Sequence, residues 1–468
     1  MKICVLNGSP KHEDSSLSMH YIKYLAKRFS QADFDIINIG CRINQIEKED
    51  NVFDEICQKI KSADAIIWGF PLYYLLVASQ YKRWIELIFE KNCESVFHGK
   101  PAASIATSIH FCDNFALNYI RSVSEDLEMN YFDSYSAHMD DFNHDTERER
   151  LCIFMNNYIQ FIQSGKPNPR LSLPVDYSIP QFHLEKESEH HLNTSKNILI
   201  LSDESEKDHN LKEMTSYLHS LFANKVHRVH LDDFQMSGGC LGCIKCGYDF
   251  TCVYDQKDLY RKIFEEKVQT ADIIIFAGSI HDRYLSSKWK KFFDRSFFHN
   301  HSSLISGKQV GMIISGPLRQ LSSLQELFMT YFEANGAHLA GIVSDDRDHR
   351  ETVKTHIQHL ADKLVRCSEQ DYLAPTTFLG LSGKKIFRDE IYSKLRFPFI
   401  ADYKHYKQSG RFDFPQKDKK IILINNVLKC LTIFPKIRKE LFNKGMDIGL
   451  YQPFRKLIAK TEAFNEQK

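Results

Sequence analysis

Two stretches of this 468-residue chain are nearly the same: Ser62-Ala-Asp-Ala-Ile-Ile-Trp68 and Thr270-Ala-Asp-Ile-Ile-Ile-Phe276. The pairing continues downstream at a constant distance. Ser79-Gln-Tyr-Lys-Arg-Trp84 stands opposite Ser287-Lys-Trp-Lys-Lys-Phe292, and Gly99-Lys100 stands opposite Gly307-Lys308. Each position lies 208 residues (287 − 79) from its counterpart. A repeat of that period is a whole domain rather than a single supersecondary unit. Two copies of one fold is the economical reading.

Each copy alternates short apolar runs with amphipathic stretches. The runs fall at Ile3–Leu6, Phe34–Ile39, Ala65–Trp68, Ala102–Ala106 and Tyr131–Ser134 in the first copy. In the second they fall at Ile198–Leu201, Val226–Val229, Ile273–Phe276, Val310–Ile314 and Leu339–Val343. Leu17–Phe29, Tyr81–Phe89, Leu324–Asn335 and Val353–Val365 have helical spacing. Continuous apolar strands between helices predict a parallel sheet covered on both faces. Five strands suit the flavodoxin-like order 2-1-3-4-5, with a ligand at the carboxyl ends of the strands. The expected fold class is therefore α/β: two tandem flavodoxin-like domains and a mainly helical C-terminal extension. The expected boundaries are 1–164 and 196–370 for the domains and 165–195 for a Pro-rich linker. The extension, 371–468, is rich in aromatic and basic residues.

Composition narrows the function. Lys and Arg number 61 against 60 Asp and Glu, so nothing favours a nucleic-acid partner. No run approaches the ~20 apolar residues needed to span a bilayer, and the N-terminus lacks a signal peptide's apolar core. Eight of the 12 cysteines are scattered without framework spacing, which suits reduced thiols and a cytoplasmic location.

The other four are clustered. Cys240, Cys243, Cys246 and Cys252 have the spacing C-x2-C-x2-C-x5-C, with Gly239, Gly242 and Gly247 between and beside them. Four thiolates on one short loop suit a cubane iron–sulfur cluster. Zinc sites more often divide into two separated knuckles. Zinc, or thiols without metal, are the alternatives.

The first copy offers an anion cradle. After its first strand comes Asn7-Gly8-Ser9-Pro10-Lys11, then Ser15-Ser16-Leu17-Ser18 at the start of a helix. A strand–loop–helix turn presents free N–H groups and the positive helix end to a phosphate. Ser9, Ser16 and Ser18 add hydroxyl donors. The bland alternative is an ordinary capped helix start. The third strand ends in Pro71-Leu72-Tyr73-Tyr74, whose rings suit a flat heterocycle. The fourth ends in Thr107-Ser108-Ile109-His110, which brings polar groups to the same edge.

On these residues the first copy resembles the NAD(P)H-dependent FMN reductases of the flavodoxin-like superfamily. Gly8, Ser9, Pro10, Lys11, Ser16 and Ser18 match the family's first loop, and Pro71 and Tyr73 match its Pro-x-Tyr. The second copy resembles the iron–sulfur flavoproteins through its four cysteines. The resemblance covers roughly residues 1–370. It implies FMN, a 4Fe–4S cluster and electron transfer between them, with NAD(P)H or a ferredoxin as the electron source. Two departures stand out. Ser202-Asp203-Glu204-Ser205-Glu206 replaces the phosphate loop in the second copy, and its carboxylates repel an anion. The first copy lacks the cysteine motif. Each copy thus keeps one redox centre, and the chain reads as a fused pseudo-dimer, open to further oligomerisation.

The expected function is a flavin and iron–sulfur oxidoreductase serving a small-molecule or protein donor and acceptor. The alternatives are a flavin-only FMN or quinone reductase and a non-enzymatic metal-binding protein. In the extension, Gly383–Asp389, Ala401–Lys407 and Arg411–Gln416 are basic and aromatic. They read as a solvated face packed by its rings, or as a cover for the flavin or an anionic partner. Residues 426–460 read as one or two amphipathic helices, with membrane-surface contact as a weak option.

Overall fold

Apolar runs flanked by polar helices are stable only when both faces of the sheet are covered, and the computed structural model achieves this twice. It describes residues 1–185, 192–223, 226–299, 301–445, 448 and 451–461. Parts of the expected linker and extension therefore lie outside the described residues. The first sheet holds β1 (Lys2–Asn7), β2 (Asp33–Asn38), β3 (Ala65–Pro71), β4 (Pro101–Ser108) and β5 (Asn130–His138). The second holds β6 (Ile198–Ser202), β7 (Val226–His230), β8 (Ile273–Ser279), β9 (Gln309–Ser315) and β10 (His338–Ser344). All pairings are parallel, in the orders β2-β1-β3-β4-β5 and β7-β6-β8-β9-β10. Every apolar run became a strand and the expected strand order holds.

The outer face of the first sheet packs Ile3 and Val5 under Met19, Ile22 and Tyr158. That of the second packs Ile200 and Ile313 under Leu218 and Leu364. The inner faces share one core, continuous from Trp68, Tyr81 and Trp84 to Phe276, Trp289 and Phe292.

At the centre of this core, helix Ser79–Glu90 packs against its counterpart Ser287–Arg295. The contact is reciprocal. The Ser79 N–H donates to Asp294 at 2.8 Å, and the Ser287 N–H donates to Glu86 at 2.5 Å. Lys82 pairs with Glu86 one turn away at 2.7 Å, and Lys290 pairs with Asp294. Each of these residues is the 208-position counterpart of another, as an isologous interface requires. Both lysine side chains are fully buried. The symmetry is broken by Asp282, a second carboxylate 2.7 Å from Lys82.

Two cysteines correct a sequence expectation. Cys57 and Cys93 meet as a disulfide, although their spacing suggested isolated thiols. Helix packing, which spacing does not reveal, brings them together.

The described chain forms two compact units, Met1–His405 and Tyr406–Lys468. The first therefore includes the start of the extension. Helix Phe378–Tyr392 packs on Ser322–Ala334, with Phe387 against Phe111 and His301. Buried Asp402 accepts from the His301 N–H and the Ser302 hydroxyl. Phe387 and Phe399 belong to this packing, whereas Phe378 and Phe397 are exposed, as are Lys384, Lys385, Lys394 and Arg396. The second unit contains helices Lys419–Leu431, Pro435–Glu440 and Gln452–Ile458. Pro435 and Pro453 sit in the first turns of the last two, where a missing N–H costs nothing. No described helix is long and apolar enough to cross a membrane.

Candidate functional site

Strand register gathers the sequence-selected residues of the first domain on one edge. Asn7 pairs with Gly69, Pro71 with Thr107, and Ser108 with His138. The β1 loop is stitched by short polar side chains. The Ser9 N–H donates to Asn7 at 3.1 Å and the Lys11 N–H to Ser9 Oγ at 3.1 Å. Asn7 and Asn38 tie the loop to β2. Gly8 is required for packing, because a Cβ there would stand 2.2 Å from the Tyr81 ring.

Ser9, Pro10, Ser16 and Ser18 are buried, and Lys11 is half-buried. Their roles differ. The Ser18 and Thr107 hydroxyls stand 2.7 Å apart and satisfy each other, locking the helix start to β4. Ser16 Oγ is buried with no hydrogen-bond partner. A buried hydroxyl left unpaired costs about 1–3 kcal/mol, so this atom marks a place for an acceptor at the helix N-terminus. The cradle therefore fits a phosphate, with Ser16 and the adjacent N–H groups as donors.

At the β4 end, His110 has φ +60°. Its Nδ1 lies 2.9 Å from Asp113, its N–H donates to Ser108 at 2.9 Å, and its ring lies 5.5 Å from His138. The Asp113 hydrogen bond raises the His110 pKa. Asp113 and His138 were not selected from the sequence: the β4–β5 register brings His138 to this edge, and the turn at His110 folds Asp113 back onto it.

The β3 end holds a further surprise. The Leu72 N–H donates to Thr107 O, and a tight turn follows, with Tyr73 and Leu76 bridged and Tyr74 and Leu75 at positive φ. Both tyrosines reach the second domain. Tyr74 sets its ring 5.8 Å from Phe297 and 5.9 Å from Tyr331. Tyr73 reaches the cysteine loop: a Cβ on Gly242, which has φ +59°, would lie 1.8 Å from the Tyr73 hydroxyl. Burial, reinforced by Cys240, Asp294 and Cys243, raises the Tyr73 pKa well above the ordinary value. Gln80 fastens the same loop by donating to Cys240 O at 3.1 Å.

Cys240, Cys246 and Cys252 interact with one another and with Cys243. Burial pushes Cys240 up to about 12; Asp294, Cys252 and Cys243 add to it and the Gly242 amide opposes it. Burial and then the other three sulfurs push Cys246 up. Among the described residues no group of three or more His, Cys, Asp or Glu is arranged to hold a metal ion. Two buried cations flank the loop. Lys290 lies near Cys240, and Arg295, paired with Asp258 at 2.8 Å, lies near Cys252.

The equivalent of the cradle in the second domain is filled. Burial pushes Asp203 up to about 6, against the Ser286 hydroxyl that donates to it. Glu204 accepts from Thr215 and Arg228, both at 2.9 Å. Asp208 accepts from the Ser205 hydroxyl at 2.5 Å.

Comparison with known proteins agrees with this division into two domains. No curated protein matches the chain. Among solved structures, a flavoenzyme NAD(P)H:(acceptor) oxidoreductase from Paracoccus denitrificans is 17% identical. The match covers 35% of this chain and 98% of that one, with a TM-score of 0.30. An FMN-dependent NADH-azoreductase from Bacillus anthracis, in complex with FMN, is 14% identical, covering 35% and 98%, with a TM-score of 0.25. The family description of NADPH-dependent FMN reductase falls on residues 197–350, the second domain, where the sequence suggested an iron–sulfur flavoprotein. Residues 1–151, where the FMN reductase motifs lie, match the flavodoxin-like fold. With its two parallel sheets, the chain is a tandem of two flavodoxin-like domains, the second similar to NADPH-dependent FMN reductases.

Proposed function

We propose that this chain is an NAD(P)H- or ferredoxin-linked flavin oxidoreductase that holds one FMN on the first domain and exchanges electrons with a 4Fe–4S cluster on Cys240, Cys243, Cys246 and Cys252. The observation that carries the reading is the approach of Tyr73, on the cradle edge of the first domain, to Gly242 inside the cysteine loop. When bound, the flavin supplies hydride acceptance and single-electron release, and the cluster carries one electron at a time.

The chain's own residues have definite tasks in this scheme. Ser16, Ser9 and the N–H groups of the helix start hold the phosphate. Ser18 and Thr107 keep that edge rigid through their mutual hydrogen bond. His110, held by Asp113, is a proton carrier at the rim. The carboxylates Asp203, Glu204 and Asp208 keep a second phosphate out of the other domain. Lys290 and Arg295 offset the charge of four thiolates.

The loop fits a cluster by the chemistry of its donors: four cysteines, with the one carboxylate among them, Asp249, accepting from the Thr251 N–H at 2.9 Å. Its sulfurs are not drawn together for a single ion, and a cubane is a larger object. The same observation favours a second reading, a flavin-only reductase whose cysteines hold no cluster. Anaerobic purification with flavin, iron and sulfide assays separates the two. One FMN with four iron and four sulfide per chain is expected for the first reading, and Cys243→Ser then loses iron while keeping FMN. FMN without iron or sulfide supports the second. A colourless protein overturns both.

A further inference from the structure

The unit Tyr406–Lys468 has a composition that the whole-chain balance conceals. Between residues 415 and 461 the sequence carries eleven Lys or Arg against three Asp or Glu, a balance of +8 in a chain whose total is +1. The remainder of the molecule is therefore acidic, and the positive charge is segregated here.

The same segment exposes large apolar side chains. Helix Lys419–Leu431 buries no residue. Leu423 is 66% exposed and Val427 52%. Ile424, Leu428 and Leu431 are also exposed. These five positions recur at helical spacing along one side, while Asn425, Asn426 and Lys429 lie on the other. Beyond it, Ile433, Phe434, Phe454, Leu457 and Ile458 are exposed as well, and Lys436, Arg438, Lys439, Lys456 and Lys460 are interleaved with them.

Charge and apolar surface together select the partner. A nucleic-acid backbone would satisfy the lysines but leave the leucines in water. An apolar groove on a protein would cover the leucines without needing a basic segment around them. An anionic lipid surface satisfies both, because the apolar side enters the acyl boundary and the lysines meet the headgroups. The 13-residue helix is about 20 Å long, short of the ~30 Å hydrocarbon core, so it lies in the interface.

We propose that residues 415–461 dock the protein on anionic phospholipid, with Leu423, Ile424, Val427, Leu428 and Leu431 inserted and the flanking lysines at the headgroups. The test is flotation of the full-length protein with vesicles of phosphatidylcholine alone and of phosphatidylcholine mixed with phosphatidylglycerol. Binding to the mixed vesicles should exceed that to neutral ones by about tenfold or more, since each basic residue near the surface adds about 1 kcal/mol. It should weaken as salt rises. Leu423→Glu with Val427→Glu should abolish it, and Lys419→Ser with Lys420→Ser and Lys429→Ser should reduce it toward the neutral level. An unchanged melting midpoint shows that either variant is still folded. The proposal fails if the protein binds neither vesicle, binds both equally, or binds as the double-Glu variant. Salt-labile binding to single-stranded RNA without vesicle binding overturns it in favour of a nucleic acid.

Discussion

Glu86 of the first domain accepts a 2.5 Å hydrogen bond from the backbone N–H of Ser287, the residue that opens the matching helix of the second. Asp294 does the same for Ser79. Each carboxylate caps the other domain's helix and pairs with the lysine one turn before it on its own. At each helix start the first backbone N–H is thereby satisfied across the interface. The price is a set of ionisable side chains held out of water: Lys82, Glu86, Lys290 and Asp294, with Asp282 beside them.

Removing one partner exposes this balance. Glu86→Ala leaves Lys82 buried with only Asp282 and uncaps Ser287. Breaking a buried pair costs about 3–5 kcal/mol. Chemical denaturation should show a loss of that size for Glu86→Ala and for Asp294→Ala. An exposed control such as Glu55→Ala should change stability by less than about 0.5 kcal/mol.

Asp282 gives the interface a pH signature. Burial pushes it up to about 7 from an ordinary 3.8 and Glu86 adds to the rise, although Lys82 and Tyr119 oppose it. A carboxyl raised in the folded state contributes stability below its unfolded pKa and loses it as pH climbs through the folded one. Glu86 runs the other way. Burial would raise it, but Lys82, Ser287 and Arg83 outweigh that and hold it at about 2, so its contribution is present above 4.5 and lost toward pH 2. Asp282→Asn should therefore be more stable relative to the parent at pH 8 than at pH 5, measured by melting midpoint. A difference that does not vary with pH contradicts the assignment.

The cradle can be tested by charge. Ser9→Asp with Ser16→Asp places two carboxylates where the phosphate is proposed to sit. Flavin should be absent from the purified double variant, and its circular dichroism should match the parent's. Retention of FMN would mean that the phosphate is held elsewhere.

Gly242 and Tyr73 should be coupled. Gly242→Ala forces a methyl group against the Tyr73 hydroxyl and imposes positive φ on a residue with a Cβ. Together these should cost about 3 kcal/mol. Tyr73→Ala in the same chain removes the clash and leaves only the backbone term of about 1–2 kcal/mol. A double-mutant cycle by denaturation measures this coupling. Additive single effects would show that the two residues are not in contact.

The sheets were legible because central strands such as β1, β3, β6, β8 and β9 are short apolar runs bounded by polar residues, and β3 and β8 are nearly identical in sequence. Helices such as Asp145–Ser164 were less so, because it opens on Asp-Thr-Glu-Arg-Glu-Arg before its buried Leu151, Met155 and Tyr158. The cradle loop could be found because its residues are contiguous. The Tyr73–Gly242 approach could not, since it joins residues far apart in sequence across a domain boundary. Nor could the split between Ser16 and Ser18. Both are serines at a helix start, and only the presence of Thr107 beside one of them makes that one a strut and leaves the other unpaired. Likewise, Lys82 and Lys290 fit a solvated helix face, and only the packing of the two domains reveals them as buried.

Asp294 follows Ser79 by 215 residues. At 5–20 residues per second, a ribosome needs roughly 10–40 s to cover that distance. The first domain is complete in sequence once its last helix ends at Ser164, and for the remaining 130 residues (294 − 164) its Trp84, Lys82 and helix start lack the partner that covers them. A second nascent chain on the same message presents an identical face. Its Glu86 is the 208-position counterpart of Asp294, so a pair of first domains places the same kind of acceptor at the Ser79 N–H. The caps alone therefore do not tell the intended half from a neighbouring chain on the polysome; what the neighbour lacks is Asp282, because the counterpart position holds Tyr74.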